Sequence, residues 1–141
     1  MRVLHVIPSV SPVRGGPSSA VIAMVQALRN REIDAEIATT NDHGEGTLDV
    51  PLESLGEWNG VPVRFFNRWS PALRPLREFI WSGGFAKWLR SSVQRYDLVH
   101  VHAVFSYAST FAMSECRRSR VAYINRPLGQ LCGWALRRSP F

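Results

Sequence analysis

Three groups of residues in this 141-residue chain have types and spacings that could do chemistry. The first is the pair Gly15-Gly16. It sits in a Pro-, Ser- and Gly-rich stretch (residues 8–19) between the apolar run Arg2–Ile7 and a segment with helical spacing. A glycine pair there lets the backbone come close to a phosphate, and a following helix offers free N–H groups and the positive end of its dipole. The pattern GxGxxG is absent, which weakens a nicotinamide-dinucleotide reading, and the lack of GK[ST] excludes a P-loop. The plainer alternative is a turn that needs glycine for close packing.

The second group is His100 and His102 in LVHVHAVF. Two residues apart on a strand, they share one face, while Val99 and Val101 take the other. His102 lies nearer the carboxyl end of the strand and is expected to face a ligand; His100 reads as a hydrogen-bonded core residue. A metal site needs at least one further ligand. His5 is the nearby candidate, and with no Cys, Asp or Glu cluster beside it, no metal is expected. The third group interleaves bases with large rings between Arg64 and Arg90, including Trp69, Arg74, Arg77 and Trp81. Such a mixture suits an anionic membrane interface or single-stranded nucleic acid; it also suits a helix with an ordinary core face and a solvated face.

These residues need elements to position them. Val3–Ile7 reads as a strand covered on both faces. A helix is expected over Ser19–Arg29, with Val21, Met24, Val25 and Leu28 forming one apolar stripe and Ser18 or Ser19 capping it. Ala35–Thr40 and Val61–Phe66 read as strands, separated by a long polar, acidic surface excursion from Asn41 to Asn59. Pro71 and Pro75 argue against one long helix after Arg68; a helix is placed at Gly84–Arg95, with Phe85, Trp88, Leu89 and Val93 inward. Leu98–Phe105 is a strand, Tyr107–Arg118 a helix, Val121–Asn125 a strand, and a short basic helical piece follows. Strands alternating with helices predict an α/β, Rossmann-like, doubly wound and mainly parallel sheet, a single domain over residues 1–141. Ligands in such sheets sit beyond the carboxyl ends of the strands.

Composition narrows the class. Hydrophobic residues make up 45% and charged ones 20%, which fits a globular chain. No apolar run approaches the roughly 18 residues of a membrane span, and the amino-terminal run is too short, and broken too early by Pro8, for a signal peptide. A cytoplasmic location is the expectation. Cys116 and Cys132 read as ordinary thiols. The net charge of +6 is uneven: residues 31–58 carry eight acids against Arg31, whereas residues 59–95 carry seven bases against Glu78. That acidic segment argues against nucleic acid as a partner.

Taken together, MRVLHVIPSVSPVRGGPSSAVIAMVQAL, YDLVHVHAVFSY and YINRPLGQLCGWALRRS resemble the amino-terminal domain of group 1 (family 4) retaining glycosyltransferases of the GT-B architecture. The resemblance implies an acceptor-side domain facing a second domain that holds most of a nucleotide-sugar donor. It places Gly15 and Gly16 at the donor diphosphate, His102 by the donor sugar as the catalytic-site histidine, and Arg126, Pro127 and Gly129 along the cleft. Many relatives have His before that glycine; here it is Leu128. The resemblance further implies no metal or other cofactor and a hydroxyl or lipid-linked glycan acceptor from cell-surface polysaccharide or glycolipid assembly; the basic aromatic stretch, through Trp69, Arg74, Arg77 and Trp81, is then expected to touch either the inner face of a membrane, peripherally, or a lipid-linked acceptor. The second domain is not among these residues, so a separate or missing carboxyl-terminal half is expected, and little transferase activity from this polypeptide alone. A non-catalytic Rossmann-like module binding a phosphate ligand or a protein is the alternative.

Overall fold

The computed structural model describes residues 1–138; residues 139–141, which close the expected domain, lie outside the described residues. Eight strands and five α-helices follow in order: β1 Arg2–Ser9, α1 Gly16–Arg29, β2 Asp34–Thr40, β3 Asp42–His43, β4 Gly46–Thr47, β5 Leu55–Trp58, β6 Val61–Phe66, α2 Arg74–Glu78, α3 Gly83–Ser92, β7 Leu98–His102, α4 Tyr107–Ser119, β8 Ala122–Arg126 and α5 Gly133–Arg138. Six of the strands form one sheet in the order β5-β6-β2-β1-β7-β8. All neighbours in it are parallel except β5, which runs antiparallel to β6. The expected doubly wound α/β sheet is therefore present.

Two apolar layers hold it. Alternation along β1 sends Leu4 and Val6 to one face, where they meet Phe66, Phe85, Leu89, Val99, Val101 and Ala112 beneath α3 and α4. Val3 and Ile7 go to the other face, where Val21 and Val25 of α1 cover them together with Ile37 and Val63. Fully burying a side chain such as Leu4 or Phe85 stabilises by about 1.5–3 kcal/mol. Phe85, Leu89 and Val93 point inward as their spacing requires, while Trp88 is half-buried against that layer. Ser82 caps α3 by accepting the Phe85 N–H at 3.3 Å. The helix stops at Ser92, and Val93–Arg95 tightens into a 3-10 turn.

The structure departs from expectation in three places. First, α1 begins at Gly16, not Ser19, and no side chain caps it. Pro17 presets the backbone of its first turn, and the Ser18 hydroxyl points inward to donate to the Ser9 carbonyl at 3.2 Å. Second, the stretch 41–59 is not a featureless surface excursion. It holds the β3–β4 hairpin and the edge strand β5, and Asn41 and Asp42 are buried. Third, β7 ends at His102 and does not reach Phe105, because Ala103 adopts φ +74° and turns the chain. At the other margin of the sheet, β8 leaves Tyr123 and Ile124 exposed.

Candidate active-site cleft

Strand order reverses direction of travel at β1: the chain moves outward through β2 and β6, then returns to lay β7 on the opposite side of β1. A crevice at such a switch point, beyond the carboxyl ends of the strands, is where this sheet type binds ligands. A cleft of about 240 Å³ lies there. Ile7, Pro8 and Ser9 leave β1 to form its floor, Pro17 and Ser18 bring in the start of α1, and Ala103, Phe105 and Ser106 come from the end of β7. Glu78 and Ile80 close one side, and Leu128 and Gln130 the other.

The loop from β1 to α1 is held rigidly. Ser11 caps a 3-10 turn over Pro12–Arg14, and Gly15 follows with φ +78° and ψ −146°, a conformation that favours glycine. A Cβ built on Gly15 or Gly16 would meet no atom within 4 Å. Close packing is therefore not what these glycines serve; Gly15 is required by its backbone angle, and the space over both is open. The loop is pinned from the side by residues that follow β2. Asp42 is fully buried and receives Arg14 Nε at 2.8 Å and Nη2 at 2.9 Å. Its carboxylate also pairs with Arg68, which is equally buried and donates to the Gly44 carbonyl at 2.7 Å. Burial pushes the Asp42 carboxyl up, but the hydrogen bonds and charge of Arg14, with the charge of Arg68, hold it below its ordinary value. Ser9 Oγ donates to the Asp42 carbonyl at 3.1 Å, and Ser11 Oγ meets His43 Nδ1 at 2.6 Å.

His102 ends β7 directly beneath the rim residue Ala103. Its ring is buried and turned to the α1 face, where its Nε2 lies 3.0 Å from Nδ1 of His5. Desolvation, with the nearby His100, His5 and Arg126, lowers its pKa to about 3; desolvation and His100 lower that of His5 to about 4. Both are neutral imidazoles at physiological pH. His100 is partly buried on the same face, register-paired with His5. The Ser109 hydroxyl of α4 donates to the His102 carbonyl at 2.8 Å, fixing the strand end.

The segment after β8 contributes to the cleft through Leu128 and Gln130, and Gln130 accepts the Val104 N–H at 2.7 Å. Arg126 is exposed on the α1 face and reaches Met24 Sδ at 3.5 Å; Pro127 and Gly129 form the turn that carries Leu128 inward, with φ +55° at Leu128 and +77° at Gly129. Beside the Glu78 and Ile80 wall lies an aromatic shelf. Trp69 and Trp81 meet edge to face at 6.1 Å, and Trp81 and Phe79 each contact Tyr107. Trp69, Leu73, Leu76, Phe79 and Trp81 are exposed there; Arg74 is exposed and Arg77 half-buried.

Residues 15–140 match the family described as glycosyl transferase 4-like domain, and the chain belongs to that family. No curated protein matches the sequence. Among the described residues, no helix is long and apolar enough to cross a membrane.

Sequence reasoning did not identify Asp42, Arg68, Glu78 or Gln130. Asp42 had a usable signal, since it stands two residues past β2 among the strand ends where ligands collect. Arg68, Glu78 and Gln130 reach the loop or cleft only through the paths of the connections, which no local pattern encodes.

Proposed function

We propose that this chain is the acceptor-side half of a retaining glycosyltransferase. It moves a sugar from a nucleoside-diphosphate sugar to a hydroxyl or lipid-linked glycan acceptor in cell-surface polysaccharide or glycolipid assembly, at the inner face of the membrane and with no metal in the transfer step. The observation that carries this reading is the family match over residues 15–140 on a chain whose cleft lies at the sheet's switch point. The electrostatic task of such a reaction is to stabilise the departing diphosphate. The open space over Gly15 and Gly16 supports a place for it at the positive end of α1. Pro17 has no N–H and the Ser18 amide is engaged with the Gly15 carbonyl at 3.2 Å, so the Gly16 amide is the loop's donor in this reading. His102 acts from beneath: paired with His5, it fixes the end of β7 and thereby the rim at Ala103, against which the donor sugar rests. A second domain, from the same polypeptide or a partner, supplies the opposite wall and most of the donor contacts.

Incubated alone with labelled nucleotide-sugars and an acceptor extract, residues 1–141 should give no transfer. Titrated with nucleoside diphosphates, the amides of Gly15–Ser18 should show the largest chemical-shift changes. Turnover by the chain alone would refute the division of labour. Shifts centred away from that loop would refute the diphosphate placement, and binding that persists without turnover when a donor half is supplied would favour a non-catalytic phosphate-binding module.

A further inference from the structure

We propose that His5, His100 and His102 form a binding site for a divalent transition-metal ion of the zinc, copper or nickel type, on the α1 face of the sheet and beneath the cleft. The sequence offers an HxH pair with His5 as the candidate third ligand; the parallel β1–β7 register places His5 beside His100. One nitrogen from each ring lies within 4.8 Å of the others, and His5 Nδ1 and His102 Nε2 are already 3.0 Å apart. Two imidazole nitrogens at about 2.0–2.1 Å from a tetrahedral ion stand roughly 3.3 Å from each other. Two of the three ligands are therefore near ligand spacing, and a ring rotation of the partly exposed His100 completes the set.

The cluster's hydrogen bonds leave capacity unused. His5 is fully buried, and Nε2, the nitrogen not used in the His102 contact, has no hydrogen-bond partner among the described residues; an ion taken through Nδ1 leaves that atom as it is. The one bond described within the cluster joins His5 to His102, so the rings carry more donor and acceptor capacity than the protein fills. An all-imidazole set selects borderline ions over magnesium or calcium, which prefer oxygen. Access exists as well. His5 and His100 line a groove of about 380 Å³ between α1 and the sheet, walled by Met24, Leu28 and Ile33, which leaves room for a water or an exogenous ligand in a fourth position.

One neighbour opposes the ion. Arg126 stands across from His102 in the β7–β8 register and points along the same face toward Met24. Among the described residues, no carboxylate joins the cluster to offset that charge. The site should therefore bind more weakly than a carboxylate-assisted one, and neutralising Arg126 should tighten it. Its bound ion joins β1 to β7 and is not a participant in glycosyl transfer, so the inference stands or falls independently of the proposed function.

The test uses the full chain stripped with EDTA and titrated with Zn²⁺ by calorimetry and with Co²⁺ by visible absorption. The expected result is one ion per chain, tetrahedral Co²⁺ bands, and no competition from Mg²⁺ or Ca²⁺. His100→Ala, at a partly exposed position that folding should tolerate, is expected to weaken binding at least about tenfold, as a lost ligand should. Arg126→Gln should tighten it several-fold, a change that a site elsewhere would not show. Absence of Zn²⁺ and Co²⁺ binding overturns the proposal. So does binding unchanged in His100→Ala, which would place the ion at His43 or the exposed Cys132, and so does an affinity indifferent to Arg126→Gln.

Discussion

Replacing Asp42 by Asn should cost this domain a large share of its stability, and the structure sets the size of the loss. Asp42 and Arg68 both have side chains with no solvent exposure, whereas Arg14 retains 29%. Asn keeps the shape of Asp but removes the charge. Arg14 can then turn to Glu78, which it already meets at 3.2 Å, and to water. Arg68 has no such escape; it is left as a buried cation with the Gly44 carbonyl and Ser70 Oγ for company. Removing one partner of a buried ion pair costs about 3–5 kcal/mol, from a total that for a domain is about 5–15 kcal/mol. With a urea slope of about 2 kcal/mol per molar, the midpoint should fall by roughly 2 M, read by tryptophan fluorescence. The double variant Asp42→Leu/Arg68→Met removes both charges together and should lose much less than the sum of its single changes. Acidification adds a second signature. The folded carboxyl lies below its ordinary value near 3.8, so its stabilisation is complete above that pH and is lost as pH falls through the lowered folded value. Asp42→Asn should flatten that part of the acid profile. A loss below about 1 kcal/mol for Asp42→Asn, or strict additivity in the double variant, would refute the reasoning.

Two further outcomes follow from other parts of the chain. Ser82→Ala removes the hydroxyl that accepts the Phe85 N–H and should destabilise the protein by about 1 kcal/mol; an unchanged urea midpoint would show that the cap carries no energy. Binding to vesicles rich in anionic lipid should fall about 30-fold in Arg74→Gln/Arg77→Gln, since each base near such a surface contributes about 1 kcal/mol, and Trp69→Ser should weaken it further. Binding that survives all three changes would remove the aromatic shelf as a membrane surface.

Much of the sheet was legible in the sequence because its signal is local. The apolar runs at Val3–Ile7 and Leu98–Val101, interrupted only by His5 and His100, are what a strand buried on both faces requires, and the 3.6-residue stripe from Val21 to Leu28 is what a covering helix requires. The helix start placed at Gly84 met that of α3 to within a residue. The short strand β5 was not legible. LGEW has neither alternation nor β-branched residues, and it is a strand only because the β6 edge offers it backbone partners. The serines in the first turn of α1 misled for a related reason: they have the chemistry of caps, but a bond to the Ser9 carbonyl claims Ser18 first. For the site, the strand ends pointed to the rim where the cleft lies. What the sequence could not show was the orientation of His102, because a two-residue period fixes a face and not which face is roofed by α1. The sequence named His5 as a neighbour of the HxH pair, but its place directly opposite His100 is set by the register between strands more than ninety residues apart.

That separation has a consequence in time. β1 is paired early with β2, which follows within forty residues, but its other partner is β7, and the Arg2 amide is held at 2.7 Å by Asp97, ninety-five positions later. During synthesis the β1–α1–β2 unit, with its glycine loop, therefore leaves the ribosome well before β7 and the later segments that line the cleft. Until β7 docks, the flank of β1 carrying His5 is an unpaired central edge, a template for other chains. Parallel pairings of this range are also intrinsically slow to form. The three-histidine cluster thus comes into being when β7 docks, and the cleft only once β8 and the segment behind it bring in Leu128 and Gln130, so a variant that delays β7 should reveal itself first as aggregation during expression, before any loss of ligand affinity can be measured.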